Sequence, residues 1–332
     1  MARRRQGYNE AEAQREFEEL REKRRNRFRI LACVDGTDES FLTVSHAARM
    51  GWGKECDIII LYVRAVDQGL RSGGLQVGVA RQNMLEWGLD LPGIRYLKHG
   101  IELLKAEGQS PEDWSAKSSH QDTWGDPLGD NKLEYVNDNG KSVVLKLKTA
   151  PDPASGILDQ YELGPYNLMI MGEPSRWRGE FKSVFDVGVV QKVSTLAPCS
   201  VLIARDSLDK KGFFMCTDGT DRCADAVRRA AVLARYMKQP ITLFSVAADR
   251  KDRKRAEENI EHAKQALKEI KIKVDGTKVG IGDPVEQIIK HGTGHSIIVV
   301  NDSGKGRIKR IFTPSVAFSV MRAAKNSVLN VR

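Results

Sequence analysis

The sequence lacks any apolar segment long enough to span a membrane. None of its windows approaches the roughly 18 apolar residues that a membrane-spanning helix needs. The first residues, Met1 to Arg5, are charged and lead into a further charged run, which excludes a secretory signal of the usual kind. The five cysteines form no CxxC pair, and their scattered positions favour reduced thiols over a disulfide framework. These absences predict a cytoplasmic protein with no membrane attachment.

The residue patterns of common catalytic sites are also missing from the sequence. It contains no recognisable Ser-His-Asp set, no metal-binding cluster and no complete P-loop. His291 and His295 have the spacing of metal ligands on a helix, but two glycines lie between them and no third ligand is nearby, so a loop or helix end is favoured. Arg71-Ser72-Gly73-Gly74 is interpreted as part of a flexible insertion. The sequence therefore favours binding or signalling over catalysis.

The net charge of +9 reflects an excess of basic residues. Such a balance is compatible with nucleic acid, anionic lipid or phosphate ligands and identifies none of them. Part of the charge lies in residues 1–27, where arginines and lysines alternate with six glutamates between Glu10 and Glu22. This spacing predicts a basic, solvated helical segment with charge pairs four residues apart. We therefore expect no nucleic-acid partner.

An internal repeat is the strongest pattern in the sequence. Residues 29–38, RILACVDGTD, align with residues 212–221, GFFMCTDGTD, at an offset of 183 positions. The same offset matches Cys33 with Cys216, Asp35 with Asp218, and Val63 with Val246. Repeats of this kind indicate copies of one structural unit.

The offset changes further along the chain. It falls to 131 positions where Asp152 matches Asp283, so the first copy carries 52 extra residues before that point. It is 127 positions where Ser200-Val201-Leu202 matches Ser327-Val328-Leu329. Several matched segments in one order predict two copies of one domain.

Each copy alternates short apolar runs with segments of helical periodicity. This alternation predicts an α/β fold of two tandem Rossmann-like domains, each with a parallel sheet flanked by helices. We assign the first domain to residues 28–206 and the second to residues 207–332. In such sheets, ligands bind beyond the carboxyl ends of the strands.

The 52 extra residues of the first copy lie within about 64–148, which is interpreted as an insertion made of a loop and a hairpin. A helix beginning near Pro92 is predicted by helical spacing of Ile94, Leu97, Ile101 and Leu104. Residues 110–130 are polar and are predicted to form a long mobile loop. Residues 133–147 are predicted to form an antiparallel hairpin, because Asn139-Gly140 supplies the positive φ angles of a tight turn.

Three short motifs carry a resemblance to a known family. They are Val34-Asp35-Gly36-Thr37, Gly282-Asp283-Pro284 and Ala197-Pro198-Cys199-Ser200-Val201-Leu202. With them, the chain from about Phe28 onward, apart from the insertion, resembles the universal stress protein family. The resemblance implies a five-stranded parallel sheet in each copy, and two separate sheets packed as a pseudo-twofold pair. It also implies a role in stress response, and many members of the family bind ATP.

The ATP-binding pattern of the family is only partly matched in the second copy. The resemblance implies that the aspartate after the first strand meets the adenosine and that a Gly-x2-Gly-x9-Gly-Ser/Thr loop wraps the phosphates. This loop falls on Asn301, Gly304, Pro314 and Ser315. Asparagine tolerates the left-handed backbone region, whereas proline removes one N–H donor. Positive charge is added nearby by Lys305, Arg307, Lys309 and Arg310.

The same loop departs further from the pattern in the first copy. Gly172 keeps the first position, but Ser175 replaces the second glycine and Val187-Gly188 stands where Gly-Ser is expected. The loop is also two residues longer than in the second copy. We therefore expect a nucleotide to bind the second copy more tightly than the first.

These matches define the candidate nucleotide-binding residues. They are Asp218, Val246, Gly282, Asn301, Gly304 and Ser315 in the second copy, and Asp35 and Gly172 in the first. Asp-Gly turns are also common without a ligand, so a purely structural role of the two aspartates stays open.

The predicted function is that of a stress-response or signalling protein that binds ATP or another adenine nucleotide without being a dedicated enzyme. Two alternatives stay open. One is a slow ATP hydrolase or nucleotide transferase that uses Asp218 and Ser315, and the other is a scaffold that binds no nucleotide. The two domains are expected to pair within one chain, while a homo-oligomer and an unidentified protein partner stay open.

Overall fold

The structure is a computed structural model that describes residues 26–66, 92–123, 126–160, 165–174, 187–205, 212–301 and 315–332, together with Glu18 and Glu22. The predicted basic segment, residues 1–27, lies almost entirely outside the described residues. The described helices include none that is both long and apolar enough to cross a membrane.

Strands and helices alternate along both copies. The first copy contains β1 (Phe28–Cys33), α1 (Asp38–Met50), β2 (Cys56–Ala65), α2 (Pro92–Ala106), a short 3-10 helix (Pro111–Asp113), β3 (Ser115–Thr123), β4 (Asp126–Val136), β5 (Ser142–Ala150), α3 (Pro153–Asp159), β6 (Leu168–Gly172), α4 (Val187–Leu196) and β7 (Ser200–Ala204). The second copy contains β8 (Phe213–Cys216), α5 (Asp221–Tyr236), β9 (Ile241–Ala247), α6 (Arg253–Glu269), β10 (Gly276–Ile281), α7 (Pro284–Gly292), β11 (Ile297–Asn301), α8 (Val316–Ala323) and β12 (Ser327–Val331).

Each copy contains a five-stranded parallel sheet with the same strand order. The order is β5-β2-β1-β6-β7 in the first copy and β10-β9-β8-β11-β12 in the second. The central strands are short, nearly continuous apolar runs, because helices cover the sheet on both faces. The predicted fold class, two tandem Rossmann-like α/β domains, is confirmed.

The expectation of two separate sheets is wrong, because the copies join edge to edge. The last strand of each copy lies at a sheet edge, and β7 pairs with β12 in antiparallel register. The described strands therefore form one twelve-stranded sheet. The physical reason is that each edge presents unpaired N–H and C=O groups, which the other edge satisfies.

The extra residues of the first copy form more regular structure than the sequence suggested. The predicted helix is confirmed as α2, with its four apolar residues buried. The β4–β5 hairpin is confirmed too, with Gly140 at a φ of +74° in its turn. The predicted loop over 110–130 is wrong, because β3 and β4 pair as antiparallel strands there. Its polar residues satisfy their backbone groups through that ladder.

The insertion is also narrower than the predicted 64–148. β5 pairs in parallel with β2, as β10 pairs with β9. In the same way, α2 packs on β2 as α6 packs on β9. Both α2 and β5 are thus counterparts of elements in the second copy, and among the described residues the additional structure is the 3-10 helix with β3 and β4.

Two matched arginines exchange contacts between the domains. Arg205, 127 positions before Arg332, donates hydrogen bonds from its guanidinium to the carbonyls of Met321 and Asn326, at the end of α8. Arg332 donates in the same way to the carbonyls of Ser194 and Ala197, at the end of α4. Each arginine therefore stabilises the carboxyl-terminal end of a helix in the other domain.

Candidate functional site

A cavity of about 400 Å³ opens at the carboxyl edge of the second domain's sheet. It lies where β8 is flanked by β9 on one side and by β11 on the other, which is the point where the strand order reverses. Open parallel sheets bind their ligands at such points. Of the eight predicted site residues, four line this cavity: Asp218, Val246, Asn301 and Ser315.

The Asp-Gly-Thr turn after the first strand has the same geometry in both copies. The Asp218 carboxylate accepts hydrogen bonds from the backbone N–H of Thr220, at 3.0 Å, and from its hydroxyl, at 2.7 Å. Asp35 accepts the equivalent bonds from Thr37, at 3.1 and 2.6 Å. The two threonines, and not the aspartates, are the N-caps of α5 and α1. A turn-forming role is therefore established for both aspartates.

The two aspartates differ in their access to solvent. Asp35 is only 5% exposed, whereas Asp218 is exposed and lines the cavity. Burial alone raises the pKa of Asp218, but the hydrogen bonds from Thr220 outweigh it and hold the pKa below its ordinary value. Asp218 is therefore a carboxylate at neutral pH, and it is accessible to a ligand.

The first position of the predicted phosphate loop has a structural role in both copies. A Cβ atom on Gly172 would lie 2.7 Å from the Glu39 carbonyl oxygen, so the end of β6 packs directly on α1. At the matched position in the second copy, the Asn301 amide donates a 3.0 Å hydrogen bond to the carbonyl of Arg222, the counterpart of Glu39. The asparagine side chain thus fills a gap between β11 and α5. The first copy has no such gap, because the backbones of β6 and α1 are in direct contact at Gly172.

The remaining predicted residues lie at different distances from the cavity. Ser315 is the N-cap of α8, and its hydroxyl accepts a hydrogen bond from the N–H of Phe318. Gly282 has a φ of +121° and donates its N–H to Ala247, a lining residue, but does not itself line the cavity. Gly304 and the four neighbouring basic residues lie outside the described residues.

The sequence reasoning missed the wall that α6 contributes. Asp252, the N-cap residue of this helix, lines the cavity together with Arg255 and Asn259. The Asn259 amide donates a 3.2 Å hydrogen bond to the hydroxyl of Ser245, on β9. Arg255 is exposed and adds a guanidinium to a wall that also carries a carboxylate. The repeat gave no signal for this wall, because its counterpart in the first copy falls within the residues that the sequence analysis assigned to the insertion.

Aromatic side chains occupy the matched positions of the first domain. Tyr62 stands at the position of Ser245, at the offset of 183 that also relates Gly36 to Gly219. The ring of Tyr96 covers Gly36, as the amide of Asn259 covers Gly219. Tyr62 and Tyr96 contact edge to face, with ring centroids 5.6 Å apart. Two tyrosine rings therefore replace the serine–asparagine pair.

A glycine makes room for these rings in the first domain. A Cβ atom on Gly93 would lie 2.4 Å from the ring of Tyr62. Gly93 lies three positions before Tyr96, as Ala256 lies three positions before Asn259, so Ala256, which lines the cavity, is the counterpart of Gly93. The first domain therefore has Tyr62 with Gly93 where the second domain has Ser245 with Ala256. The tyrosine ring occupies space in the first domain that is open in the second.

Two thiols also lie at the cavity. Cys216 and Cys223 line it, and the thiol of Cys223 lies 3.7 Å from the Cys216 carbonyl oxygen. Burial raises the pKa of Cys223 to about 11 and raises that of Cys216 further. Both are neutral thiols at physiological pH and behave as small core residues. Within the part of the chain that the structure describes, no group of three or more His, Cys, Asp and Glu side chains could hold a metal ion.

The cavity thus combines groups that suit an anionic, partly apolar ligand. Val246, Val300 and Ile288 supply apolar walls, while Asp218 and Asn259 offer polar contacts. The amino-terminal end of α8 meets the cavity at Ser315 and favours negative charge there.

Comparison with known proteins bears on the fold and on the second domain. Residues 213–332 match the model of the universal stress protein family. Among solved structures, a universal stress protein from Archaeoglobus fulgidus DSM 4304 is 16% identical, with 92% of this chain and 98% of the other covered at a TM-score of 0.54. A putative universal stress protein from Pseudomonas aeruginosa UCBPP-PA14 is 12% identical, with 91% and 92% covered at a TM-score of 0.59. A search of curated protein sequences finds no match. At these identities the structural likeness establishes the fold.

Proposed function

Because residues 213–332 form a universal stress protein domain in a chain with that fold along nine-tenths of its length, we propose that the protein binds one adenine nucleotide, in the cavity of its second domain. It acts as a stress-responsive binding protein and is not a dedicated enzyme. The observation that carries the proposal is the convergence of Asp218, Val246, Asn301 and Ser315 on one cavity of about 400 Å³.

The nucleoside end is assigned to the side of the cavity formed by β8 and β9. Asp218 lies at the end of β8, and its carboxylate accepts hydrogen bonds from hydroxyl or amino groups of a sugar or base. Val246, on β9, offers an apolar surface for a planar ring. This assignment agrees with the family resemblance, in which the aspartate after the first strand meets the adenosine.

The phosphate end is assigned to the amino-terminal end of α8. Ser315 caps this helix, and the N–H groups of the first turn favour an anion. The Asn301 side chain is tied to the Arg222 carbonyl, so it lies against α5 and not across the path of the phosphates. The substitution of the first loop glycine is therefore compatible with nucleotide binding.

A single ligand per chain follows from the difference between the domains. Tyr62 and Tyr96 occupy the positions of Ser245 and Asn259, and Asp35 is buried. Calorimetric titration with ATP tests the proposal. We expect one site per chain, at least about ten-fold weaker binding in Asp218→Ala because a charge-assisted contact is lost, and unchanged binding in Asp35→Ala.

The titration also separates the alternatives. Loss of binding in Asp35→Ala with full binding in Asp218→Ala would assign the nucleotide to the first domain. No heat from the wild type at millimolar ATP would favour the scaffold. Mass spectrometry of small molecules released from the purified protein identifies a retained nucleotide independently.

A slow hydrolase or nucleotide transferase is the second candidate function. The exposed guanidinium of Arg255 lines the same cavity as Asp218 and favours this function, because a cation and a carboxylate at one cavity can orient a phosphoryl group and a water molecule. Turnover of ATP above the background rate, lost in Asp218→Ala, would support this function. Binding without turnover would support the binding protein.

A further inference from the structure

The α6 wall of the second domain's cavity carries a cation. Among the described residues that line this cavity, Arg255 is the one basic residue, whereas Asp218 and Asp252 are acidic. The phosphates of a nucleotide are negatively charged, so the two carboxylates repel them, and a guanidinium at the same cavity offsets that repulsion. The charge of Arg255 therefore bears on which nucleotides the cavity accepts.

The guanidinium of Arg255 is available to a ligand. Its side chain is exposed, and within the part of the chain that the structure describes it makes no hydrogen bond and no ion pair. Arg253, two residues earlier, pairs with Glu257 at 3.0 Å instead. An arginine fork can donate two parallel hydrogen bonds to the oxygens of one phosphate. Arg255 thus offers a charged donor that the described fold does not use.

Arg255 lies toward the mouth of the cavity. The helix α6 follows β9 after the short connection 248–252, so it starts at the carboxyl edge of the sheet and runs away from it. Asn259 covers Gly219, in the turn that holds Asp218. Arg255 precedes Asn259 by four residues, which places its Cα about 6 Å nearer to the edge along the helix axis. The cation therefore stands outward of the turn.

The other feature of the cavity that favours an anion lies on the opposite face of the sheet. Phe213 of β8 belongs to the same apolar cluster as Ile260 of α6, whereas Phe214 belongs to the cluster that holds Val320 of α8. Successive side chains of a strand point to opposite faces, so α6 and α8 flank the sheet on different sides. Arg255 and the amino-terminal end of α8 are therefore two separate places for negative charge at one cavity.

The first domain lacks the cation at the matched position. Tyr96 is the counterpart of Asn259, so the residue four positions earlier, Pro92, is the counterpart of Arg255. Pro92 is the first residue of α2 and carries neither a charge nor a donor. The guanidinium is thus present in the domain whose cavity is open and absent at the same place in the domain that tyrosine rings fill.

Resting on the proposed binding of an adenine nucleotide, we infer that Arg255 selects nucleotides that carry more than one phosphate. The first phosphate lies at the amino-terminal end of α8. The chain of a di- or triphosphate continues across the mouth toward α6, where Arg255 pairs with the terminal phosphate. A monophosphate has no group that reaches Arg255. The second domain therefore prefers ATP and ADP to AMP, and Arg255 sets this preference.

Calorimetric titration of the full chain with AMP, ADP and ATP tests the inference. EDTA is included, so that no metal ion bridges a carboxylate and a phosphate. We expect the wild type to bind ATP at least about ten-fold more tightly than AMP. Arg255→Ala should bind ATP about ten-fold more weakly or worse, because a charge-assisted contact is lost, and should bind AMP within about two-fold of the wild type. Arg255→Lys keeps the charge without the fork and should bind ATP with intermediate affinity.

Arg253→Ala is the matched control. It removes an exposed arginine from the same turn of α6, outside the cavity, and should bind all three nucleotides as the wild type does. Equal binding of AMP and ATP by the wild type, unchanged ATP binding in Arg255→Ala, or equal loss of AMP and ATP in that variant would overturn the inference and leave the proposed function standing. Absence of binding of all three nucleotides to the wild type would overturn the proposed function and the inference with it.

Discussion

Leu202 of β7 pairs with Leu329 of β12, its own counterpart in the second copy. On either side, Val201 pairs with Asn330 and Ile203 pairs with Val328. The pairing is therefore symmetric about the two leucines, and a pseudo-twofold axis passes between them. The two domains associate through the same surface, as the subunits of a twofold homodimer do.

The first prediction concerns the exchanged arginines. Arg205 is 2% exposed and pairs with Glu173 at 2.7 Å, so Arg205→Ala leaves a nearly buried carboxylate without this partner. We expect a loss of roughly 3–5 kcal/mol in the free energy of unfolding. Arg332→Ala removes hydrogen bonds at a less buried site, and we expect a loss of about 1–3 kcal/mol. Chemical denaturation measures both.

The control for this experiment is Arg235→Ala, which removes an exposed arginine and should change the stability by less than about 0.5 kcal/mol. An equally small effect of Arg205→Ala would contradict the role assigned to the exchange.

The second prediction concerns the tyrosines of the first domain. The double variant Ser245→Tyr/Ala256→Gly reproduces in the second domain the Tyr62–Gly93 pair of the first. We expect it to lose ATP binding, because the new ring fills the cavity at Ser245. Ser245→Ala is the matched control, since it removes the hydrogen bond to Asn259 and keeps the space. Full ATP binding by the double variant in calorimetry would show that the nucleotide lies elsewhere.

The third prediction concerns Gly172. A methyl group there would lie within 2.8 Å of the backbone of Glu39 and Ser40, so α1 or β6 must shift. We expect Gly172→Ala to lower the free energy of unfolding by about 1–3 kcal/mol, the usual range for overpacking. Gly53→Ala has open space around the new methyl group and should be nearly neutral. Similar melting temperatures for the two variants would disprove the close packing.

The fourth prediction concerns pH. Burial lowers the pKa of His46 from 6.5 to about 4, although the hydrogen bond to the Leu42 carbonyl opposes the shift. Between these two values the unfolded chain binds a proton that the folded protein does not bind. Stability therefore falls as the pH is lowered from 6.5 to 4, by roughly 3 kcal/mol for this group, and the loss is complete below the folded pKa.

Melting temperatures measured across this pH window test the effect of His46. His46→Gln should remove part of the acid sensitivity, whereas His99→Gln, at a half-exposed histidine, should follow the wild type. Identical pH profiles for the wild type and His46→Gln would refute the assignment.

Most of the fold was predictable because the repeated motifs and the apolar runs can be recognised within short stretches of the sequence. The offset of 183 positions aligned Cys33 with Cys216, and the structure places both at the ends of equivalent strands. The hairpin turn around Gly140 was predictable for the same reason, since it depends on neighbouring residues only. At the candidate site, Asp218 and Val246 were matched by the repeat, whereas Asn301 and Ser315 were assigned through the family resemblance.

The remaining features depend on tertiary contacts that a single sequence does not display. β3 reads SAKSSHQDT and has no apolar alternation, so only its ladder with β4 makes it a strand. The junction of β7 and β12 depends on two edges meeting across the molecule. The tyrosine pair was missed because Tyr62 and Tyr96 are far apart in sequence and look like ordinary core residues until their counterparts, Ser245 and Asn259, are placed beside them.

The exchange of Arg205 and Arg332 means that neither half is complete on its own. The arginine of each half donates hydrogen bonds to the carbonyls at the end of the other half's last helix. A fragment expressed alone would therefore expose both an uncapped helix end and an arginine without its carbonyl partners. The six residues between Arg205 and Gly212 then serve as a tether that raises the effective concentration of one half at the other. Two separately produced halves should still associate, as in fragment complementation. The β7–β12 pairing and the two arginines provide the specific contacts, and the tether only keeps the halves close together.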